Sequence, residues 1–207
     1  MKVKVIRIRY IVLTLFLALF LASCAHVEPK IINAGQSSHF HPEQHRTIAM
    51  MPLRNEAGDA EVAEKVMREL TVQILQLDRF EIIDHYKVST LVAEEDLADI
   101  DLSDNIVKNV GRKLRAHAIL LGKVTKYEAG DQKFLIMKKA PVIGLSLRMI
   151  SLIDPIPTTI WTVNDTFDGS NAAVQQLVDK PDRGKVQTDV HFLIKVMCQE
   201  IAKTLNF

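Results

Sequence analysis

The sequence predicts a single α/β domain, in which helices pack in a three-layer-like arrangement on a mixed β-sheet. In the first half of the chain, short apolar runs such as Ile48–Met51 alternate with helical patterns, which indicates strands buried on both faces. Two later segments, residues 142–151 and 159–167, alternate between apolar and polar side chains, which is typical of antiparallel strands with one exposed face. A last helical pattern closes the chain. The predicted order is β-α-β-α-α-β-β-β-α.

The first half of this order can be followed by its boundaries. Ile48–Met51 is the first strand, and Asp59 is the predicted N-cap of the helix that follows. Residues 79–83 form a second short strand. Asp84 and Ser103 are the predicted caps of two further helices, and residues 117–128 form a strand that begins apolar and ends charged.

The second half is predicted to be a hairpin and a helix. In the hairpin, which turns at residues 154–157, the first strand has its apolar side chains at Ile143, Leu145, Leu147 and Met149. The second strand is predicted to bury Trp161, Val163 and Phe167 and to turn Ile160 to the opposite face. After a polar loop, the terminal helix has a buried stripe, with Cys198 beside it, at Val190, Ile194, Met197, Ile201 and Leu205.

The N-terminus has the three parts of a bacterial export signal. Four basic residues and no acidic residue lie in the first ten positions, and residues 10–22 form an apolar stretch broken only by Thr14. This stretch is shorter than the roughly 20 residues that a membrane-spanning helix requires. The sequence Leu21-Ala22-Ser23-Cys24 resembles a lipobox, in which the cysteine sulfur receives a diacylglycerol. An ordinary signal peptide, or a signal anchor, with a chance cysteine is the alternative.

A lipobox predicts cleavage before Cys24, followed by N-acylation of the new terminus. Several acyl chains hold a protein on a bilayer much more firmly than one chain. Residue 25 is Ala, and not the Asp that commonly retains such lipoproteins in the inner membrane. By resemblance to that sorting pattern, we expect a lipid-anchored protein on the periplasmic face of the outer membrane.

These features divide the chain into a signal peptide at residues 1–23, a lipidated flexible tether at residues 24–46 and a domain at residues 47–207. Removal of the signal takes away four basic residues and no acidic residue, which changes the formal net charge from +1 to −3. Such a chain lacks the basic stripe of a nucleic-acid-binding protein. Cys198 is the other cysteine, so an intramolecular disulfide is not expected in the mature chain.

The sequence contains no convincing catalytic constellation. His39, His41 and His45 are close enough in sequence to suggest a metal site, but tether-like surroundings favour unliganded histidines. The chain has no Gly-x-Ser-x-Gly motif, no glycine-rich phosphate loop and no His-Glu-x-x-His motif. The acidic residues around 94–104 lack the glycine and closing glutamate of a calcium loop. We therefore predict a non-enzyme without a metal or cofactor, apart from the covalent lipid on Cys24.

Four segments resemble one family. "TIAMMPLRNEAGDAEVAEKVMRELTVQIL" and "DRFEIIDHYKVSTLVAEEDL" are similar to the first two strand–helix pairs of the curli-secretion (CsgG-type) lipoproteins. "NVGRKLRAHAILLGKVTKYE" and "LRMISLIDPIPTTIWTVNDTF" resemble the next strand and the hairpin of that family. The resemblance covers residues 46–207 and extends to lipoproteins that activate penicillin-binding proteins and to flagellar outer-membrane lipoproteins. It implies a CsgG-like domain, related to anticodon-binding-like folds, with a binding or assembly role.

The resemblance leaves several functions open. The curli channel inserts two long amphipathic hairpins, each strand of which needs about 9–11 residues. The corresponding inserts here, residues 129–141 and 169–185, are too short or lack alternation, which argues against a transmembrane pore. The expected function is a non-catalytic factor that docks on an unidentified envelope protein. A ring-forming subunit of a secretion complex, and hence a homo-oligomer, is the alternative, and a periplasmic hydrolase is a third.

Overall fold

The computed structural model describes residues 32–94, 104–130 and 139–206, and these residues form an open, mixed sheet with helices on both faces. The seven described strands are β1 (Ala34–Gln36), β2 (Thr47–Met50), β3 (Arg54–Asn55), β4 (Glu81–Ile82), β5 (Ala118–Glu128), β6 (Val142–Ser151) and β7 (Thr158–Asp168). The six described α-helices are α1 (Val62–Leu75), α2 (His85–Glu94), α3 (Asp104–Leu114), α4 (Ala172–Gln176), α5 (Arg183–Thr188) and α6 (Val190–Lys203). The predicted fold class is confirmed.

The sheet has the order β1-β7-β6-β5-β2-β4, and β3 continues beyond β2 along β5. The strands β2, β3 and β4 run in parallel pairs, β2 with β4 and both β2 and β3 with β5. The pairs β5–β6, β6–β7 and β1–β7 are antiparallel. The parallel half is the half with the near-continuous apolar runs, and the antiparallel half is the half with alternating side chains, as the sequence predicts.

The two faces of the sheet carry separate hydrophobic clusters. The larger cluster joins α1 and α6 to one face through buried side chains such as Ile48, Leu120 and Leu145. The smaller cluster joins α2 and α3 to the other face through Ala49 and Ile119. Alternate residues of the same strands belong to different clusters because side chains along a strand point to opposite faces.

The helices α2 and α3 cover only part of the width of the second face. Its cluster draws on β2, β5 and the end of β6, and it includes no residue of β7 among those described. Further along β6 and β7 this face carries Arg148, Thr162, Asn164 and Thr166, all exposed. The polar positions of the alternating pattern therefore face solvent, as a one-sided antiparallel sheet requires.

The position of Ile160 corrects the predicted alternation. Trp161, Val163 and Phe167 are each 1% exposed, as predicted, but Ile160 is also 1% exposed and lies in the same cluster. The register explains the difference. Trp161 pairs with Met149 and Thr159 with Ile150, which leaves Ile160 as the extra residue of a β-bulge. A bulge places two successive side chains on one face, and the sequence pattern contains no sign of it.

The predicted stripe of the terminal helix is confirmed. All five apolar positions predicted for the terminal helix stripe are buried, as is Cys198. Asp84 caps α2, since its Oδ1 accepts from the N–H groups of Tyr86 and Lys87. The prediction for α1 is wrong by two residues, because Glu61 is the N-cap and makes no side-chain cap bond there. Asp59 instead forms a turn just before the helix, where its Oδ1 accepts from the Glu61 N–H at 3.0 Å. Ser103 lies outside the described residues.

Residues 169–185, predicted as a polar loop, contain helical structure. Asn171 caps α4 by accepting from the Ala173 N–H at 2.8 Å. A 3-10 turn at Lys180–Asp182 leads into α5, and Val186 on α5 is fully buried. These helices have only five and six residues, which is too short for a periodic pattern to appear in the sequence.

Candidate functional sites

The predicted lipid anchor cannot be placed in the fold. Leu21, Ala22, Ser23 and Cys24 lie outside the described residues, so the lipobox stays a prediction from sequence. The part of the predicted tether that the structure describes is residues 32–46, which we call the N-terminal segment. Its structure decides where the chain leaves the domain.

The N-terminal segment packs on the sheet, which corrects the prediction of a flexible tether up to residue 46. Its strand β1 pairs with β7, and the Ser37 N–H donates to the Ile160 carbonyl at 2.9 Å. The Asn33 N–H donates to the Asp165 carboxylate at 2.9 Å. Ile32 and Phe40 are each 6% exposed and belong to the main core cluster. Two separated apolar residues and a three-residue strand give no periodic signal, which is why the pattern suggested a tether.

His45 holds the end of this segment in a buried position. Its ring is 2% exposed and stacks on Phe40, with ring centroids 5.9 Å apart. The ring Nδ1 lies 2.9 Å from the His41 carbonyl oxygen, to which it can only donate. The Nε2 atom therefore accepts from the Ser151 hydroxyl, 2.9 Å away at the end of β6. This arrangement requires the neutral imidazole.

The surroundings of His45 oppose its protonation. Burial removes solvent from the charged form and lowers the pKa of His45 below its usual value of 6.5. Charges on His41 and on His117, at the start of β5, lower it further, whereas the His41 carbonyl bond and Asp154, in the turn after β6, raise it. Ser151 is also 2% exposed, and its oxygen accepts from the Ile153 N–H at 3.4 Å. Both ring nitrogens and the hydroxyl thus have partners inside the protein.

The three clustered histidines do not form a metal site in this arrangement. His39 and His41 are exposed, whereas both nitrogens of His45 are engaged by His41 and Ser151. Within the described ranges, no group of three or more histidine, cysteine or acidic side chains is placed to hold an ion. His45 serves in packing and hydrogen bonding instead.

Two Ser–His contacts have the distance of a nucleophile and its base. In the first, Ser151 and His45 are both buried, so a substrate cannot reach the hydroxyl. In the second, on α2, the Ser89 Oγ lies 3.2 Å from the His85 Nε2 but donates to the His85 carbonyl at 2.8 Å. Because the single hydroxyl proton is directed to the backbone, His85 is not arranged to remove it. Neither pair therefore offers an activated nucleophile to a substrate.

A groove of about 750 Å³ runs between the start of α2, the edge strand β4 and the end of α3. Its charged side chains have both signs and include Glu81, Lys87 and Arg115. The Glu81 N–H donates to the carbonyl of Arg46, just before β2, and the Ile83 N–H donates to that of Ile48 in β2. The backbone groups of Ile82 between them therefore point outward from the sheet edge. Such an edge offers hydrogen-bonding groups to an extended chain.

Large apolar side chains are exposed at the start of α2 and in the turn between β6 and β7. Tyr86, at the start of α2, is 78% exposed, and Ile156, in the turn between β6 and β7, is 71% exposed. Ile153 in the same turn is 47% exposed. The turn itself is fixed to α3, where Lys108 Nζ donates to the Pro155 carbonyl at 2.6 Å. Singly exposed apolar side chains are common on soluble domains, so these residues serve here as positions for probes.

The remaining singled-out residues belong to the core or lie outside the described ranges. Trp161 is a core residue whose indole N–H donates to Thr204. Cys198 is fully buried, which raises the pKa of its thiol well above the usual range. Most of the acidic stretch at 94–104 is outside the described residues. None of the described helices has the length and hydropathy of a membrane span.

Comparisons with known proteins give fold similarities and no family assignment. No protein-family model matches the chain, and no curated protein matches it. Similar solved structures include lipoprotein GNA1162 from Neisseria meningitidis, at 15% identity and a TM-score of 0.49 over 76% of this chain and 99% of that chain. A PelC dodecamer from Paraburkholderia phytofirmans has 10% identity and a TM-score of 0.45 over 79% and 97%. The LpoB C-terminal domain from Salmonella enterica has 11% identity and a TM-score of 0.42 over 60% and 83%.

Bacterial lipoproteins are thus among the structures to which this chain is similar. The similarity is too low to carry an argument about family or function. The CsgG-type resemblance stays a prediction from the sequence.

Proposed function

We propose that this chain is an outer-membrane lipoprotein whose periplasmic domain docks, without catalysis, on a protein of a cell-envelope machine. The observation that carries the proposal is the lipobox Leu21-Ala22-Ser23-Cys24, which follows a basic region and an apolar stretch of signal-peptide length. Ala25 after the modified cysteine favours the outer membrane. A lipid anchor confines the domain to a thin layer and raises its effective concentration near any partner in that layer.

The domain supports a binding role through its surfaces. An open sheet leaves the β4 edge beside a groove that combines charged side chains with outward-facing backbone groups. The buried Ser–His pair and the backbone-bonded Ser89 do not offer a nucleophile to a substrate. A non-catalytic assembly or regulatory role is the function that these features favour.

The anchor is tested by the mass and location of the protein in a bacterial host. We expect the intact mass of a chain that begins at Cys24 and carries a diacylglyceryl group and an N-linked acyl chain, recovered with the outer membrane. The variant Cys24→Ala should keep its signal and remain unlipidated, while Cys198→Ala is the matched control and should be processed normally. Recovery of an unlipidated, soluble wild-type chain would contradict the proposal.

One feature favours the ring-forming alternative. The open sheet has two different edge strands, β1 and β4. A contact between unlike surfaces of successive copies is the head-to-tail geometry that closes into rings. The native mass of the lipidated protein in mild detergent separates the two functions. A monomer or dimer is expected for a docking factor, whereas a particle of many copies would support the ring-forming function instead.

A further inference from the structure

We propose that His45 and Ser151 form an acid-sensitive latch that holds the N-terminal segment on the domain and releases it when His45 is protonated. The inference goes beyond the docking role, and the latch itself does not depend on the lipid anchor. Only the effect of release on the length of chain between the domain and its anchor rests on the proposed lipidation of Cys24.

The latch joins two parts of the chain that are far apart in sequence. His45 lies where the N-terminal segment enters β2, and Ser151 lies at the end of β6, 106 residues later. The ring fills a buried position between Phe40 and the sheet. The segment is also attached by the three-residue strand β1, by the buried side chains of Ile32 and Phe40, and by hydrogen bonds of Asn33, Ser37 and Arg46 to the sheet.

Protonation breaks the hydrogen-bond pattern of the latch. A charged imidazole carries a proton on both nitrogens, so Nε2 no longer accepts from Ser151. The hydroxyl must turn to accept from the ring, and its own proton then loses its partner. The new charge also lies in a site that is 2% exposed to solvent. Burying an unpaired charge is unfavourable, so the protonated ring favours the released state.

The charged groups around the ring strengthen this response. His41, from the segment itself, and His117, just before β5, both lower the pKa of His45. The hydrogen bond to the His41 carbonyl and Asp154, from the turn after β6, favour the charged ring. Burial is the largest effect and, with the two histidines, outweighs them, which leaves the pKa of His45 lowered.

The sign of the pH dependence follows from this lowered pKa. A released His45 titrates near its usual value of 6.5, whereas the docked ring takes up a proton only at lower pH. The released state therefore binds more protons between these two values, so docking is complete above about pH 6.5 and weakens as the pH falls below it.

Release would change how far the domain stands from its anchor. Seven residues, 25–31, separate Cys24 from the N-terminal segment, and seven extended residues span at most about 25 Å. With the segment released up to His45, the connection has 21 residues and a limit of about 75 Å. Acid would thus convert a short connection into a long one without unfolding the domain.

Amide hydrogen exchange on the purified full chain tests the latch, at about pH 7.5 and about pH 5 and with intrinsic rates corrected for pH. We expect peptides from residues 32–46 to lose protection at the lower pH, because the released state binds more protons than the docked state. Peptides from β5 and α6 should keep their protection. Unchanged protection of the segment, or an equal loss in all elements, would overturn the proposal.

Three variants link the response to the latch. His45→Gln keeps an amide that can donate to His41 and accept from Ser151 but cannot gain a charge, so the segment should stay protected at both pH values. His39→Gln replaces an exposed histidine and should behave as the wild type. Ser151→Ala keeps the titrating ring but removes the hydroxyl that favours its neutral form. The pKa of the docked ring then moves closer to that of the released ring, so the loss of protection between the two pH values should become smaller. Loss of protection in His45→Gln equal to that of the wild type would refute the latch.

Discussion

The indole N–H of Trp161 donates a 3.0 Å hydrogen bond to the hydroxyl of Thr204, which donates in turn to the Ile201 carbonyl at 2.6 Å. This chain of bonds connects β7 to the last turn of α6. It satisfies the polar atom of an aromatic side chain that is otherwise buried in the main core. The end of α6 is therefore fixed to the sheet by a directional contact as well as by packing.

Replacing Thr204 should show how much that bond stabilises the domain. Thr204→Val keeps the shape of the side chain but leaves the buried indole N–H without an acceptor, which should lower the free energy of unfolding by about 1–3 kcal/mol. Thr166→Val, on the exposed face of β7, is the control and should change it by less than about 0.5 kcal/mol. Chemical denaturation measures both. Equal effects of the two substitutions would show that the bond does not stabilise the domain.

A second prediction concerns the close approach of β5 and β6 at Gly122. A Cβ atom at this position would lie 2.3 Å from Leu147 Cδ2 and 2.8 Å from the Ser146 carbonyl oxygen. Gly122→Ala should therefore force a shift between the strands and cost about 1–3 kcal/mol of stability. At Gly184, in α5, a Cβ atom would meet no heavy atom within 4 Å. Gly184→Ala should be neutral or stabilise the protein by up to about 1 kcal/mol, because alanine favours helices. The same sign for both would contradict the structure.

The antiparallel half of the fold was the most predictable from sequence. Ile143, Leu145, Leu147 and Met149 are buried as their alternation requires, because a strand with one wet face has a period of two. Ile160 was misplaced because a bulge depends on how two strands pair, and a single strand's pattern does not contain that information.

Sequence patterns do not predict how the N-terminal segment and His45 pack on the sheet. His45 was considered as a metal ligand in a tether, yet its partner Ser151 lies 106 residues away. A long-range contact between two isolated polar residues has no local signature. The anchor is the opposite case, because it rests on sequence alone. The sequence predicts lipidation of Cys24, and the described residues begin at Ile32.

The third prediction uses the two cysteines to examine the core and the anchor together. Cys198 is fully buried and its thiol pKa is raised, so it should not react with a thiol reagent in the folded protein at neutral pH. After unfolding, protein taken from the envelope should show one reactive thiol per chain, because the sulfur of a lipidated Cys24 is a thioether. Cys198→Ala should then show none. Two reactive thiols in the unfolded wild type would contradict lipidation of Cys24.

Cross-linking in intact cells shows whether the anchored domain docks on another envelope protein. A photoreactive residue would replace Tyr86 or Ile156, with exposed Lys195 on α6 as the comparison position. We expect an adduct with one other envelope protein from at least one of the first two positions. That adduct should be lost in the Cys24→Ala background and kept in Cys198→Ala. Adducts only between copies of this chain, or none with another protein at any position, would contradict the docking function.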